Sequence, residues 1–177
     1  MSKFLLFVLC IIAVFSCKKD DLMPLPNYNQ GNQAYGWSKC DRNGVAWEAS
    51  AIAGYMIPGA TPDTNYMSIV CGTVDNDSIL GESLGIRNIP TQVGEYDVVE
   101  SNETKVITSL YSLVTDDQID ATYQIRKKKT SKVYIDTIDR QKKIVKGRYT
   151  LYFSGGDGIY ERNVDFENGT FEARFAN

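Results

Sequence analysis

The sequence predicts an all-β protein with a single antiparallel domain, built as a β-sandwich or as a barrel-like sheet of about 8–10 strands. Short runs that alternate apolar and polar residues recur along the chain, and turn-forming residues separate them. No window after Cys17 repeats its apolar residues with the period of an amphipathic helix. Strand tilt and shear decide whether such a sheet closes, so the sequence leaves both the sandwich and the barrel open.

The first hairpin is predicted at Asn43-Gly44, the dipeptide that best tolerates the positive φ angles of a tight hairpin turn. Residues 36–41 and 45–49 flank this turn as strands. They carry Trp37 and Trp47, whose large rings suit a pleated, half-buried surface.

Further strands are predicted in the middle of the chain. The apolar runs 66–71 and 83–86 favour strands, and Pro90 ends the second because it cannot donate a ladder hydrogen bond. Another strand is predicted over residues 94–99. Two more, joined near Asp116-Asp117, are expected between residues 109 and 125.

The last third of the chain alternates most clearly. One face of the run from 145 to 153 is apolar and consists of Val145, Tyr149, Leu151 and Phe153. The strand 133–138 is predicted to pair with this run through the charged turn 139–143. A second hairpin turn is predicted at Asn168-Gly169, between an alternating run that ends at Phe166 and one that begins at Phe171.

The N-terminus has the three parts of a secretory signal, namely Lys3, an apolar run from Phe4 to Phe15, and the small residue Ser16. The run is shorter than the ~20 apolar residues that cross a bilayer, so we interpret residues 1–16 as a removable signal peptide. Its end, Val14-Phe15-Ser16-Cys17, resembles a bacterial lipobox, in which the cysteine is acylated and the peptide is cut before it. The resemblance implies lipidation at Cys17. The alternative is an ordinary secretory signal with Cys17 as an incidental thiol.

Residues 17–34 are predicted to be the lipidated cysteine and a polar tether, because their prolines and Asn/Gln/Gly run have no strand or helix period. The β domain is predicted to span residues 35–177. Cys17-Lys18-Lys19-Asp20-Asp21 resembles the start of lipoproteins of the Bacteroidota, where charged residues after the cysteine act in surface export. This resemblance implies a protein of the cell envelope, lipid-anchored at the outer membrane, and leaves its periplasmic or surface face open.

Several motifs mark the β domain: CDRNGVAWEA at 40–49, GEY at 94–96, ID at 138–139, IVKGRY at 144–149 and ENGTF at 167–171. Together they resemble small Bacteroidota lipoproteins grouped as a domain family of unknown function. In that family an Asn-Gly turn followed by tryptophan opens the domain, and an Asn-Gly-x-Phe strand closes it. The resemblance implies the same fold and location and brings no known active site.

Composition excludes several classes of function. The chain has 0 histidines, which excludes Ser-His-Asp and Cys-His hydrolases, histidine-ligated zinc and pH switching by imidazole. A formal net charge of −3 without a basic block argues against nucleic-acid binding. No cofactor is expected.

Cys40 and Cys71 are the cysteines that the mature chain would keep beside Cys17. In an oxidising envelope they could form a disulfide, which would close a loop of about 30 residues and contribute ~3 kcal/mol. They could equally be two buried free thiols that act as small apolar residues. The sequence leaves both alternatives open.

Acidic clusters are the only candidates for chemistry. Asp75-Asn76-Asp77-Ser78 spaces its oxygen ligands like the start of a calcium loop, but it lacks the glycine and the distal glutamate of an EF-hand, which favours a solvated turn. Asp116, Asp117 and Asp120 could supply the paired carboxyls of a glycoside hydrolase. Aspartates also collect in turns for conformational reasons alone.

Three weaker signals complete the candidates. Lys127-Lys128-Lys129 beside Arg126 is interpreted as a solvated strand end, with a phosphate or lipopolysaccharide contact as the alternative. The 11 tyrosines could line a sugar-binding platform or be ordinary strand residues. Asp77-Ser78-Ile79 and Asp136-Thr137-Ile138 resemble the short O-glycosylation sites of Bacteroidota envelope proteins.

These observations predict an envelope lipoprotein with a non-catalytic binding or structural role and with no catalytic or metal-ligating residue. Its expected partners are the membrane, through the lipid anchor, and a glycan or an envelope protein. The first alternative is a glycan-binding accessory protein of an uptake system. The second is a carboxylate-based hydrolase.

Overall fold

The computed structural model of the chain describes residues 36–56, 63–74, 80–100, 106–115, 118–155 and 160–176. The described residues form ten β-strands in one sheet, and none of them lies in a helix, which confirms the all-β prediction. Nor do they include a helix that could cross a bilayer. The strands are β1 (Gly36–Arg42), β2 (Val45–Met56), β3 (Asp63–Val74), β4 (Leu80–Pro90), β5 (Gly94–Val98), β6 (Thr108–Thr115), β7 (Gln118–Ile125), β8 (Ser131–Asp139), β9 (Ile144–Gly155) and β10 (Asn163–Phe175).

Most of the strands form a closed, barrel-like ring. Each is antiparallel to the next in the order β1, β2, β3, β4, β6, β7, β9 and β10, and β10 pairs with β1 to complete the circle. The β7–β9 contact is short and joins residues 123–125 to residues 153–155. Of the two architectures that the sequence predicts, a sandwich and a barrel-like sheet, the structure has the barrel-like one.

The remaining strands, β5 and β8, extend this ring. β8 continues along the edge of β9 that β7 also uses, and β5 pairs with the outer edge of β8. The residues between β7 and β8 leave the ladder, although the Arg126 N–H still donates to the Tyr152 carbonyl at 2.8 Å.

The first Asn-Gly dipeptide forms the predicted hairpin turn, whereas the second does not. Asn43 and Gly44 have φ angles of 49° and 79°, as a tight turn between β1 and β2 requires. At the second dipeptide Asn168 has a φ of 54°, but β10 runs on through it and pairs with β9 on both sides. The predicted hairpin at Asn168-Gly169 is therefore wrong, and a β-bulge stands in its place.

Large rings from several strands fill the middle of the ring. Phe166 is fully buried, and its centroid lies 5.0 Å from that of Tyr111, 5.8 Å from that of Phe153 and 5.3 Å from that of Trp47. Alternation along β9 points Val145, Tyr149, Leu151 and Phe153 into this core, as the sequence predicts. These aromatic side chains come from strands in different parts of the closed sheet, so their packing stabilises the closed form.

The chain enters and leaves the ring at the same end. β1 starts at Gly36, and the last residues of β10 pair with β2 just past that start. Phe175 N–H also donates to the Lys143 carbonyl at 2.9 Å, which places the β8–β9 turn beside the end of β10. We call this the tether end. The Asn43-Gly44 turn and the first residues of β4 and β10 lie at the opposite end.

Candidate functional site

Several residues singled out in the sequence lie outside the described residues. These include Cys17 with the signal and tether, the Asp75–Ser78 segment, and Asp116 and Asp117. Of the three aspartates weighed as hydrolase carboxyls, only Asp120 is described, half-buried on β7. Lipidation, calcium binding and a carboxylate pair thus stay predictions.

Cys40 and Cys71 are both free and buried. Strand β2 lies between them, because Cys40 faces Trp47 across one edge of β2 and Cys71 faces Ala51 across the other. Neighbouring strands are ~4.8 Å apart, so their Cα atoms lie well beyond the ~7 Å that a disulfide spans. The structure therefore contains two buried free thiols and not a disulfide between Cys40 and Cys71.

The thiols share a small polar pocket of the core with two hydroxyls. Ser38 Oγ and Tyr149 Oη are 2.8 Å apart, and the Cys40 and Cys71 thiols face Tyr149 and Ser38, respectively. Burial raises the pKa of Cys40 to about 11 and that of Cys71 to about 12. Thiols held in the protonated form are poor nucleophiles and poor metal ligands, so this group supports packing.

The basic run near Arg126 is bound into ion pairs. Arg126 and Lys129 both contact the Asp165 carboxylate, and Lys127 lies 3.1 Å from Glu100. An anion would have to compete with these carboxylates for the same cations. The geometry favours the solvated strand end over a phosphate site.

Two of the outward tyrosines that the structure describes, Tyr134 and Tyr152, have cations against their rings. Lys129 Nζ lies 4.0 Å from the centroid of the Tyr152 ring, and the Arg148 guanidinium lies 4.8 Å from that of Tyr134. A sugar stacking on either ring would have to displace a cation. Trp37 on β1 is an outward ring with 43% of its surface exposed.

The predicted glycosylation motif on β8 is accessible, and its aspartate is paired with an arginine. Thr137 is exposed, and the neighbouring Asp136 carboxylate accepts two hydrogen bonds of 3.0 Å from Arg148. This contact lowers the pKa of Asp136. Modification of Thr137 is not tested by this geometry and stays a prediction.

The strongest candidate site is a polar cluster inside the ring at the end opposite the tether. Arg42, the last residue of β1, donates to Glu82 Oε1, and the Trp47 indole N–H donates to Glu82 Oε2. The side chains of Arg42 and Glu82 are only 28% and 19% exposed. All three point inward, because Glu82 alternates with buried Leu84 and Ile86. We call these residues, with Tyr111, the Glu82 cluster.

Tyr111 supplies a hydroxyl to this cluster. Its side chain is fully buried, and among the described residues its Oη has no hydrogen-bond partner in acceptable geometry. Burial, together with the nearby negative charge of Glu82, raises the pKa of Tyr111, so the phenol is neutral and carries a proton to donate. A buried donor of this kind costs stability unless something accepts from it.

A partner for Tyr111 Oη needs to accept a hydrogen bond. A hydroxyl group or a water molecule can accept it, and either can also donate to the neighbouring Glu82 carboxylate.

The Glu82 cluster does not resemble a pair of catalytic carboxyls. Glycosidases set two carboxyl groups across a cleft, whereas the charged partner of Glu82 is the guanidinium of Arg42. The described residues of the Glu82 cluster thus supply one carboxylate held by a cation.

Sequence reasoning missed this cluster, although part of its signal was readable. Glu82 occupies an inward position of an alternating strand, where an acidic residue requires a partner. Nothing in the sequence shows that Arg42, which lies 40 residues away along the chain, is that partner.

Comparison of the chain with protein-family models, with curated proteins and with solved structures finds no match. The resemblance to Bacteroidota lipoproteins therefore stays a prediction from the sequence motifs.

Proposed function

We propose that this chain is a lipid-anchored protein of the bacterial cell envelope whose β domain has a non-catalytic binding role. Residues 1–16 direct export, Cys17 carries the acyl chains, and residues 18–34 tether the domain. An apolar run that ends at Ser16-Cys17 and is followed by charged residues is the observation that carries the anchor. Two or more acyl chains on one cysteine suffice for stable attachment.

The anchor is tested with two cysteine variants of the full chain. Cys17→Ala should move the protein from the detergent phase to the aqueous phase and abolish the mass increase from acylation. Cys10→Ala, in the segment removed with the signal, is the matched control and should leave both unchanged. Unchanged detergent partitioning of Cys17→Ala would refute the anchor.

For the binding role, we propose a hydroxyl-bearing ligand, as in a glycan-binding accessory protein. The observation that favours this class is the unpartnered Tyr111 Oη beside Glu82 and Arg42, since carbohydrate hydroxyls both accept and donate.

The ligand class is tested by titrating the protein with a panel of neutral oligosaccharides and polyols. Tyr111→Phe should weaken the best binder by about 10-fold or more, because a buried polar partner is lost. Tyr149→Phe changes a buried tyrosine whose hydroxyl is paired with Ser38, and it should leave the affinity unchanged. Absence of any binder, or equal affinities for Tyr111→Phe and the native protein, would reject this ligand class and leave the anchor proposal untouched.

A further inference from the structure

The pairing of β7 with β9 is the shortest among the described strands of the ring. It covers residues 123–125 and 153–155 only, whereas every other pair of neighbouring strands in the ring is joined over at least five residues of each strand. Residues 118–122 of β7 lie beside β6 on one side, and no described strand pairs with them on the other. We call this short pairing the β7–β9 seam. It has the fewest ladder hydrogen bonds to break.

Two buried donors that lack an acceptor lie beside the β7–β9 seam. Among the described residues, Tyr111 Oη and Arg126 Nε are buried side-chain atoms without a hydrogen-bond partner. Arg126 directly follows the seam residue Ile125, and its backbone N–H donates to the Tyr152 carbonyl of β9 at 2.8 Å. A buried donor without an acceptor raises the free energy of the closed form. Opening of the seam would let water or a ligand accept from both donors.

The side chains that close the seam on the inside of the sheet also cover Tyr111. Tyr123 on β7 and Phe153 on β9 are fully buried, and their ring centroids lie 5.3 and 6.0 Å from that of Tyr111. Tyr111 itself is 0% exposed, so its hydroxyl is closed to solutes while the strands stay paired. Separation of β7 from β9 would move the two covering rings apart and open a path to this hydroxyl.

Contacts of the corner between β7 and β8 hold one end of the seam. Arg126 contacts the Asp165 carboxylate on β10, and Ser131 Oγ accepts from the Tyr152 N–H at 3.0 Å. The other end of the seam is at Gly155, the last residue of β9. We therefore expect β7 and β9 to part from the Gly155 end, with the corner as the hinge.

We propose that the β7–β9 seam opens in the folded protein and admits the hydroxyl-bearing ligand to Tyr111 Oη. Proteins open locally where few contacts hold an element, and such openings require less free energy than global unfolding. The role of the ligand rests on the binding function proposed above for the Glu82 cluster. The opening itself is measured without a ligand, so its failure is distinct from a failure of that binding function.

A disulfide across the seam tests the opening in the full chain. Gln124 and Ser154 are exposed and lie directly opposite each other on β7 and β9, at a spacing that a disulfide can bridge. When oxidised, Gln124→Cys with Ser154→Cys should slow amide hydrogen exchange of residues 118–125 by about 10-fold or more. Exchange of residues 63–74 on β3 should change far less, and reduction should reverse the effect.

Lys39→Cys with Glu48→Cys is the matched control. These residues are also exposed and directly opposite each other, on β1 and β2. The disulfide that they form joins strands outside the seam, so exchange of residues 118–125 should stay as in the native chain.

Gly155→Ala makes the opposite change. A Cβ there would lie 2.5 Å from the Thr122 carbonyl oxygen of β7, so exchange of residues 118–125 should become faster by about 10-fold or more. The matched control is Gly85→Ala on the β4–β6 pair, where the nearest atom would be the Leu110 carbonyl oxygen at 4.0 Å. It should leave exchange of residues 118–125 unchanged. If Gly155→Ala is not folded by circular dichroism, the two disulfides decide the test.

Quenching of Trp47 fluorescence by acrylamide tests the route to the Glu82 cluster. Acrylamide is a small neutral solute, and Trp47 is 7% exposed and donates to Glu82. The experiment uses Trp37→Phe, which leaves Trp47 as the one remaining tryptophan of the chain. The oxidised seam disulfide should lower the quenching constant by about twofold or more, and reduction should restore it.

Three outcomes would overturn the proposal: exchange of residues 118–125 as slow as that of residues 63–74 in the native chain, equal effects of the two disulfides, or quenching of Trp47 that the seam disulfide leaves unchanged. The last would show that solutes reach the cluster by another route. A failed binding function would appear separately, as the absence of any oligosaccharide binder while hydrogen exchange still reports the opening.

Discussion

Arg42 at the end of β1 and Glu82 at the start of β4 form an ion pair inside one end of the ring, although β2 and β3 separate their strands. Glu82 also accepts from the Trp47 indole, so one carboxylate satisfies donors from two strands. This contact joins the first hairpin to the opposite part of the sheet.

Removal of this carboxylate should therefore be costly. Glu82→Ala leaves the Arg42 guanidinium and the Trp47 N–H without their acceptor, and we expect the free energy of unfolding to fall by about 1–3 kcal/mol. Urea denaturation measures this change in the free energy of unfolding. The matched control is Asp136→Ala, which breaks an exposed pair with Arg148 and should cost less than ~1 kcal/mol. Equal losses for the two variants would show that the buried ion pair contributes no more to stability than the exposed one.

The two buried tyrosines should respond differently to loss of their hydroxyls. Tyr111→Phe removes a group with no partner among the described residues, so stability should change by less than ~0.5 kcal/mol or rise. Tyr149→Phe removes a partner of Ser38 at 2.8 Å and should cost about 1–2 kcal/mol. Chemical denaturation of both variants provides the comparison, and a larger loss for Tyr111→Phe would mean that its hydroxyl already has a partner.

Alkaline pH should destabilise the domain through its two buried thiols. The unfolded chain releases the thiol protons near the ordinary pKa of 9.0, whereas the folded chain retains them until about 11 for Cys40 and about 12 for Cys71. The folded state binds more protons in this window, so stability is full below pH ~9 and falls as pH rises, by up to about 1.4 kcal/mol per pH unit for each thiol.

Thermal melts from pH 8 upward under reducing conditions measure this slope. The Cys40→Ala Cys71→Ala double variant should have a flatter profile between pH 9 and pH 10, before the buried tyrosines contribute. An unchanged slope in the double variant would show that the two thiols do not cause the loss of stability at alkaline pH.

Gly147 on β9 should not tolerate a side chain. A Cβ there would lie 2.0 Å from the Tyr134 carbonyl oxygen and 2.6 Å from the Phe171 ring, and the carbonyl belongs to a strand that cannot easily move. We expect Gly147→Ala to cost about 3 kcal/mol or to prevent folding. At Gly54 the nearest atom would be Ser68 Oγ at 3.8 Å, so Gly54→Ala should fold with little change. A thermal shift assay separates the two, and similar melting temperatures would contradict the close approach.

Much of the fold could be predicted because the pattern of strands is local. Alternation along β9 identified its buried face, and Pro90 ended β4 as expected. Asn168-Gly169 misled because the dipeptide permits a positive φ in a bulge as readily as in a hairpin. In the structure β9 pairs with β10 on both sides of Asn168-Gly169 and keeps β10 extended, whereas the residues on either side of Asn43-Gly44 pair with each other.

The candidate site was far less predictable, since its ion pair joins Arg42 on β1 to Glu82 on β4, two strands that do not pair with each other. Glu82 could be recognised as an acidic residue at an inward position, but the motif at residues 40–49 gave no sign that Arg42 is its partner, and Tyr111 belonged to no motif. Conversely, the aspartates that did form motifs lie in turns, where aspartate is common for conformational reasons.

The sequence by itself determined most of the strands and the side chains that face the core, because each depends on residues close together along the chain. Closure of the ring and the pairing of Arg42 with Glu82 were decided only by the tertiary structure. They depend on strand register across the whole sheet. The packing of side chains from many strands sets this register, so it cannot be read from any single segment.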